Sequence, residues 1–66
     1  MNAAVKDIDN QLHAQKGIQD LIRCLLNSKN HNDHEALETM LLHSTRTTAL
    51  LTTLKLQIIA TTAASN

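Results

Sequence analysis

Residues 27–34 read NSKNHNDH, a run of eight polar side chains that contains no apolar one. Asn, Asp and Ser form local hydrogen bonds to the backbone that compete with a helix, so this run predicts a turn. Asn32 is followed three residues later by Glu35, which is the spacing of a capping box, and Asp33 is the alternative cap. We therefore predict a turn at about 30–32 and a helix that begins at about residue 33.

The sequence before the turn has the apolar spacing of an amphipathic helix over about residues 3–29. Steps of three and four residues connect its aliphatic side chains, which are Val5, Ile8, Leu12, Ile18, Leu21, Ile22, Leu25 and Leu26. A strict heptad from Val5 places Gln15 and Gln19 on the buried line. We therefore expect the apolar stripe to shift sideways near Gly17, onto the neighbouring line of Ala14, Ile18, Leu21 and Leu25.

The sequence after the turn predicts a second helix over about residues 33–62, followed by a frayed end at 63–66. Four of its residues lie seven apart and four more are interleaved with them: Leu37, Ser44, Leu51 and Ile58, then Met40, Thr47, Leu54 and Thr61. We call the two predicted helices helix 1 and helix 2. We expect this face of helix 2 to pack against helix 1, because a short turn brings the two helices back antiparallel. The prediction is an all-α fold, with residues 1–66 forming one antiparallel, coiled-coil-like two-helix hairpin.

A second apolar line runs along helix 2, on a different side from the first. Its members are again seven residues apart, and they are Leu42, Ala49, Leu56 and Ala63. Helix 1 cannot cover both lines, and Leu50 and Ile59 widen the apolar surface further. Because contiguous exposed apolar patches mark interaction sites, we expect a protein partner. That partner is either a second copy, which gives a four-helix bundle, or a helix of a different protein.

Composition excludes several other classes of function. Six basic and six acidic residues give a formal net charge of zero, and the basic residues are scattered, which argues against nucleic acid as a partner.

The most apolar stretch, residues 49–64, contains Lys55 and several threonines and is shorter than the roughly 20 apolar residues of a membrane span. The opening MNAAVKDIDNQ lacks the pattern of a secretory signal. A single cysteine suits a reducing compartment, so we expect a soluble, cytoplasmic chain without membrane insertion.

The closest group of potential metal ligands lies at the turn. His31 and His34 stand beside Asp33 and Glu35, but a structural zinc site needs four well-placed ligands. Polar residues gather at turns for ordinary reasons of solvation. We interpret the two histidines as solvated and predict no bound metal.

Cys24 together with His13 or His43 could suggest a thiol nucleophile and its base. A cysteine on a helix, followed by two leucines, is more often a small buried hydrophobe. Catalysis also requires a concave site shielded from water, which two helices alone do not form. We therefore expect no enzymatic activity, no cofactor and no small-molecule substrate.

Two segments carry a resemblance to a known family. They are DIDNQLHA at Asp7–Ala14 and the apolar end of helix 2, LLTTLKLQII at 50–59, which follows an acidic helix start. In these segments, in length and in its helix–turn–helix plan, the chain resembles the small co-chaperones of bacterial type III secretion systems, of the YscE/PscE type. Its Thr-rich second helix and its lack of aromatic residues depart from that family, whose second helix carries more charge.

The resemblance implies a cytoplasmic complex in which the hairpin stabilises a larger helical chaperone and keeps a needle subunit soluble. It also implies that the apolar end of helix 2 makes the contact. With Leu42 of the second apolar line, the predicted partner-binding residues are Leu42, Leu50, Leu51, Leu54, Leu56, Ile58 and Ile59. The alternative is a self-assembling dimerisation or scaffold protein that handles no cargo.

Overall fold

A computed structural model describes residues 2–28 and 33–64, which form two helices. Helix α1 spans Ala3–Leu26 and helix α2 spans His34–Ala64. The two helices lie side by side with many mutual contacts, which confirms the predicted all-α hairpin. The molecule measures 54 × 16 × 11 Å, as expected for helices of about 36 and 46 Å at 1.5 Å per residue.

Asn2 and Ser28 bracket helix α1. The Asn2 side chain accepts a hydrogen bond of 2.8 Å from the Ala4 backbone N–H, which satisfies one of the free donors of the first turn. At the other end, the Ser28 N–H donates to the Leu25 carbonyl at 3.1 Å. Helix α1 therefore ends at Leu26, three residues before the predicted limit, because the polar residues that follow favour turn geometry.

Helix α2 begins next to Asp33. The Leu37 N–H donates to the Asp33 carbonyl at 3.0 Å, so Asp33 occupies the cap position, close to the predicted start. Asn32 and the predicted turn at 30–32 lie outside the described residues. Helix α2 continues to Ala64, two residues beyond the predicted end at 62, so the predicted fraying does not include Ala63 and Ala64.

The two helices meet along one line of residues each, which we call the contact lines. In both lines, steps of three and four residues alternate as in a coiled coil. Apart from Thr47, every described residue that is buried or half-buried lies on one of them. The line of α1 is Val5, Ile8, Leu12, Gln15, Gln19, Ile22 and Leu26, and the line of α2 is Leu37, Leu41, Ser44, Thr48, Leu51, Lys55 and Ile58.

A cluster of four polar side chains occupies the middle of the contact lines. Ser44 is buried, and its hydroxyl donates to Gln15 Oε1 at 2.6 Å. Gln19 Nε2 donates to Ser44 Oγ at 3.2 Å and to Thr48 Oγ1 at 3.0 Å. Because these groups satisfy one another across the helices, glutamine is tolerated where a leucine is usual. We call this group the polar cluster.

The polar cluster corrects two sequence-based expectations. The predicted sideways shift of the apolar stripe near Gly17 is wrong, because the heptad continues through Gln15 and Gln19. Among the residues predicted to interleave on α2, Met40, Leu54 and Thr61 are exposed and only Thr47 is half-buried. Leu41, Thr48 and Lys55 take those places, since Gln19 requires the Thr48 hydroxyl as an acceptor.

An ion pair near the open end of the hairpin extends the same register. Lys55 Nζ lies 2.6 Å from Asp9 Oδ1, and the Lys55 side chain is about one-third exposed. The pair and the polar cluster together show that α1 and α2 run antiparallel, since residues early in α1 meet residues late in α2. This register places Leu12 opposite Leu51 and Ile22 opposite Leu41.

The apolar interior of the hairpin is small. Ile8 and Ile22 are the buried hydrophobic side chains of the described residues. The threonines of α2 add little to it, because Thr39, Thr45 and Thr52 are exposed and donate to the carbonyl one turn back, at 2.9 to 3.0 Å. Two helices in contact along one line each leave most of their side chains in water.

We predict that Gly17→Ala stabilises the protein. Gly17 lies inside α1, and apart from its chain neighbours and the surrounding helix backbone an added Cβ would meet no atom within 4 Å. Alanine is favoured over glycine in a helix by about 1 kcal/mol, so the free energy of unfolding should rise by about that amount. Urea unfolding followed by circular dichroism measures it, with Ala14→Gly as the matched control that should lose a similar amount. A lower free energy of unfolding for Gly17→Ala would contradict this account of α1.

We predict that Ser44→Ala destabilises the hairpin although alanine is the better helix former. The substitution leaves Gln15 Oε1 without its donor and Gln19 with one acceptor fewer, at a cost of about 1–2 kcal/mol. Thr45→Ala is the control, because Thr45 bonds only within its own helix and should change stability little. Equal unfolding free energies for the two variants would show that the polar cluster contributes nothing.

Candidate protein-binding surface

The described part of the chain exposes more large aliphatic side chains than it buries. Each of the following is at least two-fifths exposed: Ile18, Leu21, Leu25, Met40, Leu42, Leu50, Leu54, Leu56 and Ile59. Leu50 is the most exposed, at 72%. Isolated exposed leucines are common on proteins, so what decides their meaning is whether they lie together.

A groove beside the polar cluster shows which of these residues share a side of the hairpin. The groove has a volume of about 400 Å³ and is lined by Gln15, Ile18 and Ile22 of α1 and by Thr39, Met40, His43 and Ser44 of α2. It therefore places Ile18 on the same side of the molecule as Met40 and His43. The contact-line residues Gln15, Ile22 and Ser44 form its base, and its sides are Ile18 on α1 and Thr39, Met40 and His43 on α2.

Helical periodicity identifies further residues of α1 and α2 that lie on the same side of the hairpin as the groove. Leu21 and Leu25 lie three and seven residues after Ile18, so they share its side of α1. On α2, Leu50 lies seven residues after His43 and Leu54 lies fourteen after Met40, so both share the side of α2 that carries Met40 and His43. We call this surface the apolar flank, and it consists of Ile18, Leu21, Leu25, Met40, Leu50 and Leu54.

The charged side chains avoid the apolar flank. By the same periodicity, Asp7 is the one Asp, Glu, Lys or Arg residue of α1 and α2 that lies on it, and Asp7 stands at the open end. The other side of the hairpin carries Asp9, Lys16, Asp20, Arg23 and Glu38. There, Arg23 Nη1 lies 3.5 Å from Asp20 Oδ1, an exposed pair worth a fraction of a kcal/mol. The hairpin thus has one side suited to water and one suited to an apolar partner.

The remaining exposed aliphatic residues lie on α2, away from the apolar flank. Leu42 and Leu56 belong to the second apolar line with Ala49 and Ala63, all of which are exposed. Ile59 lies between this line and the contact line. We call Leu42, Leu56 and Ile59 the opposite flank. Thr45 and Thr52 lie among its members, and it has three large aliphatic side chains, compared with six on the apolar flank.

The structure divides the seven predicted partner-binding residues into three groups. Leu50 and Leu54 lie on the apolar flank, and Leu42, Leu56 and Ile59 lie on the opposite flank. Leu51 and Ile58 are half-buried on the contact line that packs against α1. The seven residues therefore do not form one surface.

Four residues of the apolar flank were not in the predicted set. Ile18, Leu21 and Leu25 form an apolar line on α1 that the sequence does show, but that line was expected inside the hairpin. Met40 was assigned to the contact line for the same reason. The signal for the correct placement is the pairing of Gln15 and Gln19 with Ser44 and Thr48, because it fixes which side of each helix faces inward.

The candidate chemical groups are dispersed. Cys24 is exposed, which corrects the expectation that it is a buried hydrophobe, because it lies off the contact line of α1. His34 Nδ1 lies 3.0 Å from Glu38 Oε1, one turn along the same helix. Within residues 2–28 and 33–64, no three His, Cys, Asp or Glu side chains are close enough to hold a metal ion, and His31 lies outside those residues.

No helix in the described part of the chain combines the length and the apolar content needed to cross a bilayer.

Comparison with known proteins does not assign the chain to a family. No family model matches the sequence, and neither curated proteins nor solved structures show significant similarity to it.

Proposed function

We propose that this chain is a protein-binding helical hairpin whose apolar flank packs against apolar helices of a partner. The observation that carries the proposal is the clustering of six large, exposed aliphatic side chains on one side that is uncharged apart from Asp7. Such a surface carries no Lys or Arg side chain that would attract nucleic acid. It offers apolar area at the spacing with which helices pack, as in helix-in-groove recognition.

The accessible surface of the chain supports the same proposal. It measures 5203 Å², whereas a folded monomer of 7.3 kDa has about 4,200 Å² by the usual scaling with mass. The excess, about 1,000 Å², exceeds the roughly 800 Å² that each partner contributes to a standard protein interface. The hairpin thus exposes more total surface than a compact monomer of its mass, by an amount that is sufficient for one side of a standard interface.

The finer form of the proposal is a co-chaperone of type III secretion that acts in the cytoplasm. In that role the apolar flank would stabilise a larger helical chaperone, and the complex would keep a needle subunit soluble. The support is the sequence resemblance, together with a physical fit: a subunit that polymerises through apolar helices has to be kept from doing so, and a stabilised chaperone serves that need. The proposal assigns the chain a binding role without catalysis.

We predict that Leu54→Asp weakens partner binding and that Ile59→Asp does not. The two residues lie on the same helix and are exposed to nearly the same degree, 46% and 44%, but Leu54 is on the apolar flank and Ile59 on the opposite flank. Burial of an unpaired carboxylate should reduce affinity at least about tenfold. Affinity capture from a lysate of the native host, with quantitative mass spectrometry, compares both variants with the unmodified chain.

The proposal is supported if the same proteins are recovered with the unmodified chain and with Ile59→Asp but are depleted with Leu54→Asp. Recovery of a larger helical protein together with a small polymerising subunit supports the finer form, and co-expression should then raise the soluble yield of that subunit. Identical recovery with all three baits would remove the apolar flank from the binding site.

A further inference from the structure

We propose that a second copy of this chain covers the apolar flank when no other protein occupies it, so that the free protein is a four-helix homodimer. This inference rests on the proposed function in one respect, since it assigns the same flank as the binding surface. It names the competing occupant and thereby a form of regulation: a partner has to displace the second copy before it can bind.

The surface that the chain exposes is sufficient for a homodimer. Its total accessible surface exceeds that of a compact monomer of the same mass by about 1,000 Å², which is more than the roughly 800 Å² that each copy contributes to a standard interface. A helical hairpin that buries only Ile8 and Ile22 as apolar side chains within its described part gains most from such burial. Burial of the aliphatic side chains of the flank would add the apolar contacts that a small domain otherwise lacks.

The apolar flank is complementary to itself in charge. A two-fold dimer brings the same patch of both copies together, so any strong charge on that patch would meet its own like charge near the axis. Between Ile18 and Leu25 on α1 and between Met40 and Leu54 on α2, the flank carries no Asp, Glu, Lys or Arg side chain, because Arg46 lies on the face of α2 that points away from α1. Asp7 lies at the open end, so two copies meet along this stretch without bringing like charges together.

The shape of the surface also suits two facing copies. The groove beside the polar cluster is open along the hairpin, with Ile18 on one rim and Met40 and His43 on the other. Leu21, which is 60% exposed, projects from the same side and is of a size to enter the groove of a facing hairpin. Interdigitation of this kind is how the four helices of a bundle pack. Asp9, Lys16, Asp20, Arg23 and Glu38 would then all lie on the outside.

Sedimentation velocity on the purified chain, over micromolar to millimolar concentrations, tests the inference. The unmodified chain should sediment as a dimer, and its melting temperature should rise with concentration, because dimer formation stabilises the folded state by mass action. Leu21→Asp should raise the dimer dissociation constant at least about tenfold. Leu56→Asp is the matched control, since both leucines are 60% exposed, and it should leave the dimer intact.

Leu21→Gln protects the test against a variant that fails to fold, because glutamine is a good helix former and adds no charge. It should weaken the dimer while far-ultraviolet circular dichroism still reports helix. A helical, strictly monomeric unmodified chain at all concentrations would overturn the inference, and so would a dimer that Leu56→Asp disrupts and Leu21→Asp does not.

The two proposals can fail separately. If the purified chain is monomeric but Leu54→Asp abolishes partner capture, the homodimer is excluded and the protein-binding function stands. If Leu21→Asp separates the dimer while Leu54→Asp captures the same proteins as the unmodified chain, the homodimer stands and the flank is not the site for other partners.

Discussion

The hydrogen-bonded polar cluster of Gln15, Gln19, Ser44 and Thr48 is the constraint on which the rest of this molecule depends. An apolar contact line can slide by a heptad at small cost, whereas a line with polar groups in its centre has to match them. Because the Ser44 hydroxyl reaches Gln15 Oε1 at 2.6 Å, one register satisfies all four side chains together with the Lys55 and Asp9 pair. The cluster thereby determines which side of each helix faces the other helix and which side remains exposed.

The polar cluster reduces the apolar interior of the hairpin and leaves aliphatic side chains exposed. Glutamine and serine in the centre of the contact lines displace aliphatic side chains that would otherwise enlarge the interior, so little apolar area is buried between α1 and α2. The aliphatic residues of the chain are not scarce but are placed elsewhere, on the apolar flank and the opposite flank. The hairpin is specific in its pairing and weak in its core, and the apolar flank is where additional stability can be gained.

The sequence was sufficient to predict the all-α hairpin, because a polar run between two amphipathic segments admits few other arrangements. It also located the start of α2, since Asp33 and the acidic residues after it are typical of a helix start. It predicted the inward side of the helices only in part. Leu37, Ser44, Leu51 and Ile58 do face α1 as expected, whereas the second half of α1 and the interleaved residues of α2 were assigned to the wrong side. Leu21 and Met40 are apolar and Gln19 and Lys55 are polar, so hydrophobicity alone assigns the first pair to the interior and the second to the surface.

Gln19 and Lys55 can be placed inside the hairpin only if the residues that face them on the other helix are known. Gln19 is stable on the contact line only because Thr48 and Ser44 face it, and Lys55 only because Asp9 does. A pattern read along one helix contains no information about such partners. This explains why Leu50 was expected at the surface from α2 alone, whereas Leu54 of α2 and Ile18, Leu21 and Leu25 of α1 were expected inside the hairpin.

The central claim is that the hairpin leaves its apolar flank in water and that protein, whether a second copy or another chain, covers it. Methyl NMR with a soluble paramagnetic probe measures this directly, since the probe broadens the methyl signals that it can approach. At high dilution, the signals of Leu21 and Leu54 should broaden as strongly as those of Leu56, and at high concentration or with a bound partner they should be protected while Leu56 remains accessible. Equal broadening of all three under every condition, or protection of Leu21 and Leu54 in the dilute monomer, would contradict the account.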